Sequence, residues 1–308
     1  MKLSQLVTEY LTYKRALGYR FITEGFILQA FCRSVGELSL GDVRTDHFVA
    51  FFHVGDVERR HRAIKGLCRY AMGRYGELLP QLPQLRAVRS SCFVPHIYTR
   101  EELKRLMQTA TAICAVRRAL IEDYVLRAIL LLLYGAGLRL GEALALNVAD
   151  VDLPHALLTI RQTKFHKTRL VPLGDDLLQR LIDYRREHDQ HDANQCDCPF
   201  FCLRNGARVN HAVIERTFRR LRKEAGVVRQ GGPRNQPRLH DLRHTAAVHR
   251  LISWYRAGED MQHLLPKLAT YLGHKDLSGT QRYLTLTPQL LHEASLRFER
   301  YALESHHD

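Results

Sequence analysis

The stretch AILLLLYGAGLRLGE, residues 128–142, narrows what this chain can fold into more than any other. Its apolar part, AILLLLYGAGL, has 11 residues, whereas a helix that crosses a bilayer needs about 20. It is therefore an apolar helix of a globular domain, ended by Gly135 and Gly137, with a second helix starting from Leu138 onward. Arg139 falls near the amino terminus of that second helix. Free N–H groups and the macrodipole favour anions there, and a guanidinium adds a planar fork of donors that matches a phosphate. Glu142 lies three residues on, close enough on a helix to brace Arg139 by an ion pair. A plain surface Arg–Glu pair is the other reading of these two residues.

The charge balance makes an anion the expected partner. Across 308 residues, 46 Lys and Arg face 32 Asp and Glu, a formal net charge of +14, which favours nucleic acid. An anionic membrane surface competes, but the cations are dispersed rather than gathered on one helix. Polar residues interrupt MKLSQLVTEYLTYKRALGYR every few positions, unlike a signal peptide, so a cytoplasmic protein without membrane association is expected. Seven cysteines, an odd and scattered number, argue for reduced thiols rather than a disulfide framework. In CDCPFFC, Cys196, Cys198 and Cys202 do not have a usual zinc spacing, and PFFC reads as a short buried strand. No metal is expected.

Residues 1–87 read as helices. The first carries Leu6, Tyr10, Tyr13 and Leu17 at helical spacing; a later one, VERRHRAIKGLCRYAMGRYG, sets Arg59, Arg60, Arg62, Lys65, Arg69 and Arg74 around Ile64, Leu67 and Cys68. Such a cluster suits phosphate contacts, although each side chain alone reads as a solvated face. The proline-bearing stretch LLPQLPQLRAVRSSCFVP is the linker candidate, and the domains are expected at 1–87 and 98–308 with a linker at 88–97. Thr99 and Glu102 form a capping box that opens the second domain. That domain is expected to be mainly helical, with one hairpin in ALLTIRQTKFHKTRLVPL. Near the end, Thr287 and Pro288 begin a helical tail, about 288–308, with Leu291, Ala294, Phe298 and Tyr301 on one face.

Further along lies RLHDLRHT. His240 and Arg243 are three apart, so a helix puts both on one face, where Arg243 offers a second guanidinium to an anion. His240 titrates near neutral pH and suits proton transfer; a helix-capping or structural histidine is the alternative. In GHKDLSGTQRY, His274 precedes a polar turn and Tyr283 follows. A phenol, with a pKa near 10, needs a base or strong positive surroundings to act as a nucleophile at neutral pH. By composition alone, Tyr283 is one of 13 tyrosines.

Taken together, G-L-R-x-x-E, the lysine in RQTKFHKTRLVPL, H-x-L-R-H, and L-G-H followed nine residues later by tyrosine resemble the tyrosine recombinase or phage integrase family. The resemblance spans about residues 98–290, with a fainter likeness in the amino-terminal helices. It implies a helical core-binding domain and a catalytic domain of helices plus a small antiparallel sheet, which together clamp double-stranded DNA. It implies that Arg139, Lys164, His240, Arg243, His274 and Tyr283 are catalytic, with Glu142 supporting Arg139. Lys164 takes the general-acid role, although Phe165 departs from the commoner glycine-rich turn and Lys167 lies only three residues away. Strands would be cut and rejoined through a 3′-phosphotyrosine in integration, excision, transposition or resolution, on a tetramer holding two sites. A sister recombinase or accessory proteins could join it, and the tail often docks on a neighbouring protomer. No cofactor is implied: the phosphodiester energy is kept in the phosphotyrosine, GxxxxGK[ST] is absent and no carboxylate cluster suggests two-metal chemistry. Topoisomerase IB-like cleavage and religation, or a non-cutting DNA-binding accessory of the same fold, remain as alternatives.

Overall fold

A computed structural model describes residues 1–76, 79–84, 94–115, 119–161, 168–188, 198–274, 290–296 and 299. The fold is mainly α-helical with one small antiparallel sheet, and the described residues divide into two compact units, one up to residue 84 and one from residue 94.

In the first unit, α1 (Leu3–Ala16), α2 (Ile22–Val35), α3 (Thr45–Phe52) and α4 (Val57–Tyr75) pack around Leu6, Tyr10, Leu28, Phe31, Phe48, Ile64 and Leu67. Asp56 caps α4 by accepting the Arg59 N–H at 3.0 Å, and Gly76 ends it in the left-handed conformation. Gly66 is where α1 and α4 meet closely: a Cβ there would stand 2.5 Å from the Tyr10 hydroxyl. Arg62, Lys65, Arg69 and Arg74 are exposed along α4. Arg60 departs from the expected phosphate-facing set, because its guanidinium lies 4.3 Å over the Phe51 ring and donates to the Phe51 carbonyl at 2.6 Å.

The second unit is built on the apolar segment. Helix α6 (Asp123–Gly135) buries Val125, Leu126, Ile129, Leu130, Leu132 and Leu133. It packs against α5 (Arg100–Cys114), α7 (Leu140–Ala145), α8 (Asp175–His188) and α10 (Leu239–Arg256), which accounts for an apolar run with no polar face. Thr99 and Glu102 cap α5 reciprocally, at 3.1 and 2.9 Å. Strands β2 (Leu157–Ile160) and β3 (Arg169–Pro172) form the expected hairpin, from Leu157 opposite Pro172 to Ile160 opposite Arg169. A third strand, β1 (Val151–Asp152), extends the sheet on the far side of β2. The hairpin turn, residues 162–167, lies outside the described residues.

Two expectations are corrected. PFFC is not a strand: Phe200 and Phe201 are both buried, and neighbouring residues of a strand cannot both face one core. Their backbone is held instead by Leu146 and by the Tyr184 hydroxyl, with isolated bridges at Pro199 and Cys202. In the tail, Leu291 is exposed and Leu290 is buried among Ala247, Val248, Leu251, Leu268 and Leu272, while Arg256 binds Glu293 at 2.7 Å. The inward face therefore starts one residue earlier than the apolar spacing suggests; Phe298 and Tyr301 lie outside the described residues. Of the predicted linker, residues 94–97 belong to the second unit, where His96 pairs with Glu102 at 3.0 Å.

Helices α9 (His211–Glu224) and α11 (Met261–Leu272) belong to the same unit. Between α6 and α7, Gly137 has φ +60°, and a Cβ there would meet Leu272 Cδ2 at 2.7 Å. The left-handed backbone alone costs a non-glycine residue roughly 1–2 kcal/mol. Gly137→Ala is therefore expected to lower the unfolding free energy of the full chain by about that amount or more in a urea titration; unchanged stability would contradict the account of this turn.

Candidate active site

Arg139 is the N-cap residue of α7, with extended backbone at φ −72°, and the Glu142 side chain accepts its N–H at 3.0 Å. The same carboxylate accepts from Arg139 Nη1 at 2.7 Å, so the expected brace exists. Glu142 also receives a second guanidinium. Arg169, the first residue of β3, donates Nη1 to Oε1 at 3.0 Å and Nη2 to Oε2 at 2.8 Å. Arg243 Nη1 stands 3.9 Å from Oε2. Burial opposes ionisation of Glu142, but the hydrogen bond from Arg169, the Arg139 N–H and both guanidinium charges outweigh it and hold its carboxyl at about 2.

The three arginines also share one helix end. The last carbonyls of a helix have no partner within it. Here Tyr271 O accepts from Arg169 Nε at 3.2 Å, Leu272 O from Arg243 Nη2 at 2.5 Å, and Gly273 O from Arg139 Nη2 at 2.9 Å. These are successive carbonyls of the segment that enters His274. Gly273, with φ +68°, lets the chain turn there, and the His274 N–H closes the turn on Ala269 O at 2.9 Å. Arg243 is buried at 2% exposure and also donates to Gly137 O at 2.5 Å, whereas the Arg139 side chain is 39% exposed. Arg139 is thus the open guanidinium of the group, and Arg243 the buried one.

His240 and Arg243 share α10, whose start is capped by Asp241: the Arg238 N–H reaches Asp241 Oδ2 at 2.9 Å. The His240 ring meets His244 edge to face, with centroids 4.6 Å apart. Partial desolvation, then the charges of Arg243, Arg238 and Arg139, lower its pKa below 6.5 against the opposing pull of Asp241. The imidazole is therefore neutral at pH 7 and able to accept a proton. Lys164 and Tyr283 lie outside the described residues. No group of three or more His, Cys, Asp or Glu among the described residues could hold a metal ion; Cys196 lies outside them.

Sequence reading missed Arg169 and Tyr98. Period-two alternation in RLVP gives Arg169 the same face as the buried Val171, and an inward arginine needs a carboxylate. Tyr98 is wholly buried; its N–H reaches Thr245 Oγ1 at 3.0 Å and its hydroxyl reaches Arg238 O at 3.0 Å. It fixes the amino end of α10, and no spacing in the sequence marks it.

The phage integrase family matches residues 97–289, a span that includes Arg139, Lys164, His240, Arg243, His274 and Tyr283. The chain belongs to the phage integrase family. It is a tyrosine recombinase, an enzyme of site-specific DNA recombination. It is 42% identical to integrase/recombinase y4rB of Sinorhizobium fredii over 67% of this chain and 66% of that one. It is 30% identical to tyrosine recombinase XerC of Chlamydia trachomatis over 76% of this chain and 68% of that one. The recombinase also shares its fold with XerH site-specific recombinase bound to palindromic difH substrate, a post-cleavage complex. The TM-score is 0.64 at 21% identity, over 96% of this chain and 84% of that one. No helix among the described residues is long and apolar enough to cross a membrane.

The low pKa of Glu142 carries a stability consequence. A carboxyl depressed from 4.5 to about 2 by folding contributes stability that is present above the unfolded pKa and lost as pH falls toward the folded one. Glu142→Gln should be less stable than wild type at pH 7, and the gap should narrow between pH 4.5 and about 2. Denaturant titrations at several pH values measure this; a gap independent of pH would rule it out.

Proposed function

We propose that this recombinase cuts duplex DNA by attack of the Tyr283 hydroxyl oxygen on the scissile phosphorus. The new bond is a 3′-phosphotyrosine, and the bond from phosphorus to the 5′ oxygen breaks. Arg139 and His274 hold the phosphate and, with the charge of the buried Arg243 close behind, offset its growing negative charge, a preorganised electrostatic effect worth roughly 3 kcal/mol per donor. Neutral His240 accepts the phenolic proton, and Lys164 gives a proton to the departing 5′ oxygen. A 5′ hydroxyl from the partner strand then reverses these steps and completes exchange. The single observation that carries this reading is Arg139. It is 39% exposed at the amino end of α7, and Glu142 and Gly273 O aim its fork.

The exposed cations of α4 and the net charge of +14 suit the first unit to phosphate contact on the same duplex. The assembly proposed is a tetramer on two DNA sites, formed by copies of this chain or with a sister recombinase, acting in the cytoplasm on integration, excision, transposition or resolution. One solved structure of the same fold, a lambda integrase tetramer bound to a Holliday junction, supports that stoichiometry.

A nicked suicide duplex built on the protein's own site, recovered by binding selection, tests the nucleophile. Wild type should become covalently attached to DNA and Tyr283→Phe should not; attachment by the variant would end the assignment. Two site-bearing duplexes in one reaction should exchange strands, which a topoisomerase-like enzyme would not do. The lowered pKa of His240 predicts that the cleavage rate holds its plateau below pH 6.5, because the neutral base persists there. His240→Gln should slow cleavage and remove that acid limb; an identical limb in the variant would assign it to another group.

A further inference from the structure

Arg169 is the cation of this site that the recombination chemistry leaves unused. It is 13% exposed and points inward. Both Nη atoms grip the two oxygens of Glu142 and Nε holds Tyr271 O. All three of its nitrogens are engaged in these contacts, so it is no candidate for touching DNA. Its contacts nevertheless reach each part of the clamp: the carboxylate that aims Arg139, and the first of the three carbonyls that lead into His274.

We propose that Arg169 is a positioning residue for strand cleavage. By forking onto Glu142 and holding the end of α11, it fixes Arg139 and the backbone of His274 where they meet the scissile phosphate. This rests on the reading of Arg139 and His274 as phosphate contacts. Glu142 divides its hydrogen bonding between two guanidiniums. Without Arg169, the carboxylate keeps Arg139 as its hydrogen-bonded partner and draws that fork inward, away from DNA. The Tyr271 carbonyl loses its cap in the same step, and the turn at Gly273 loosens. A lysine keeps the charge but not the fork, since one ammonium cannot span both carboxylate oxygens and the Tyr271 carbonyl in fixed geometry.

The test uses the full chain and two suicide duplexes that differ only at the scissile position. One carries the ordinary phosphate; the other carries a methylphosphonate, which lacks the negative charge that Arg139 answers. Arg169→Lys keeps a cation beside Glu142 and so guards against unfolding; thermal melting and DNA affinity are recorded alongside Arg169→Gln. Arg169→Lys should bind DNA as wild type does, and covalent attachment to the phosphate duplex should slow on the order of 10²-fold. On the methylphosphonate duplex most of that loss should vanish, as it should for Arg139→Ala. A wild-type rate for Arg169→Lys on the phosphate duplex overturns the proposal. So does an equal loss on both duplexes, which is the signature of general structural damage. If Arg139→Ala itself loses equally on both, the clamp reading fails, whatever Arg169 does.

Discussion

The second unit turns on one largely buried carboxylate. Glu142 is 9% exposed and takes hydrogen bonds from Arg139 and Arg169, with Arg243 at 3.9 Å. Burying a charge is costly unless it is paired and its lone pairs are used, and here both oxygens are engaged. Removing one partner of such a group typically costs about 3–5 kcal/mol, so each arginine is held in place by what its loss would expose. The cluster sets three guanidiniums against one carboxylate and is net positive. Its negative member determines where those positive charges point.

Around that pair the rest of the unit has a simple dependence. The apolar α6 is the element that α5, α7, α8 and α10 pack on, and the tight turn at Gly137 delivers Arg139 straight from its end. The sheet delivers Arg169 from one side, and α10 delivers Arg243 and His240 from another. Helix α11 contributes carbonyls rather than side chains: its unpaired end is the acceptor that all three guanidiniums share. Residues far apart in the chain therefore converge because one carboxylate and one helix end need donors.

Much of this was legible beforehand. Gly137 and Glu142 marked a turn and a braced arginine, and the spacing of His240 and Arg243 marked a common helix face. The hairpin followed from two β-rich runs around a polar turn. What could not be read was depth. Spacing puts Arg243 on the right face but does not say that its guanidinium is buried with backbone carbonyls as partners. Arg60 failed for the same reason: the sequence shows a cation on a helix, and only packing reveals the Phe51 ring beneath it. In PFFC the β-prone residues misled because both rings are needed on one side of the core. Tyr98 was invisible because its partners, Arg238 and Thr245, are brought to it by tertiary contact alone.

Gly273 has one more implication. A Cβ at that position would stand 2.9 Å from the Arg169 guanidinium carbon, besides requiring an unfavourable backbone at φ +68°. Position 273 is thus not free to change while Arg169 keeps its place. A larger residue at 273 would have to arrive with a shorter one at 169, and that exchange would strip Glu142 of its fork. The constraint spans more than a hundred residues of sequence and runs one way: Arg169 dictates glycine at 273, whereas glycine at 273 leaves residue 169 room to change.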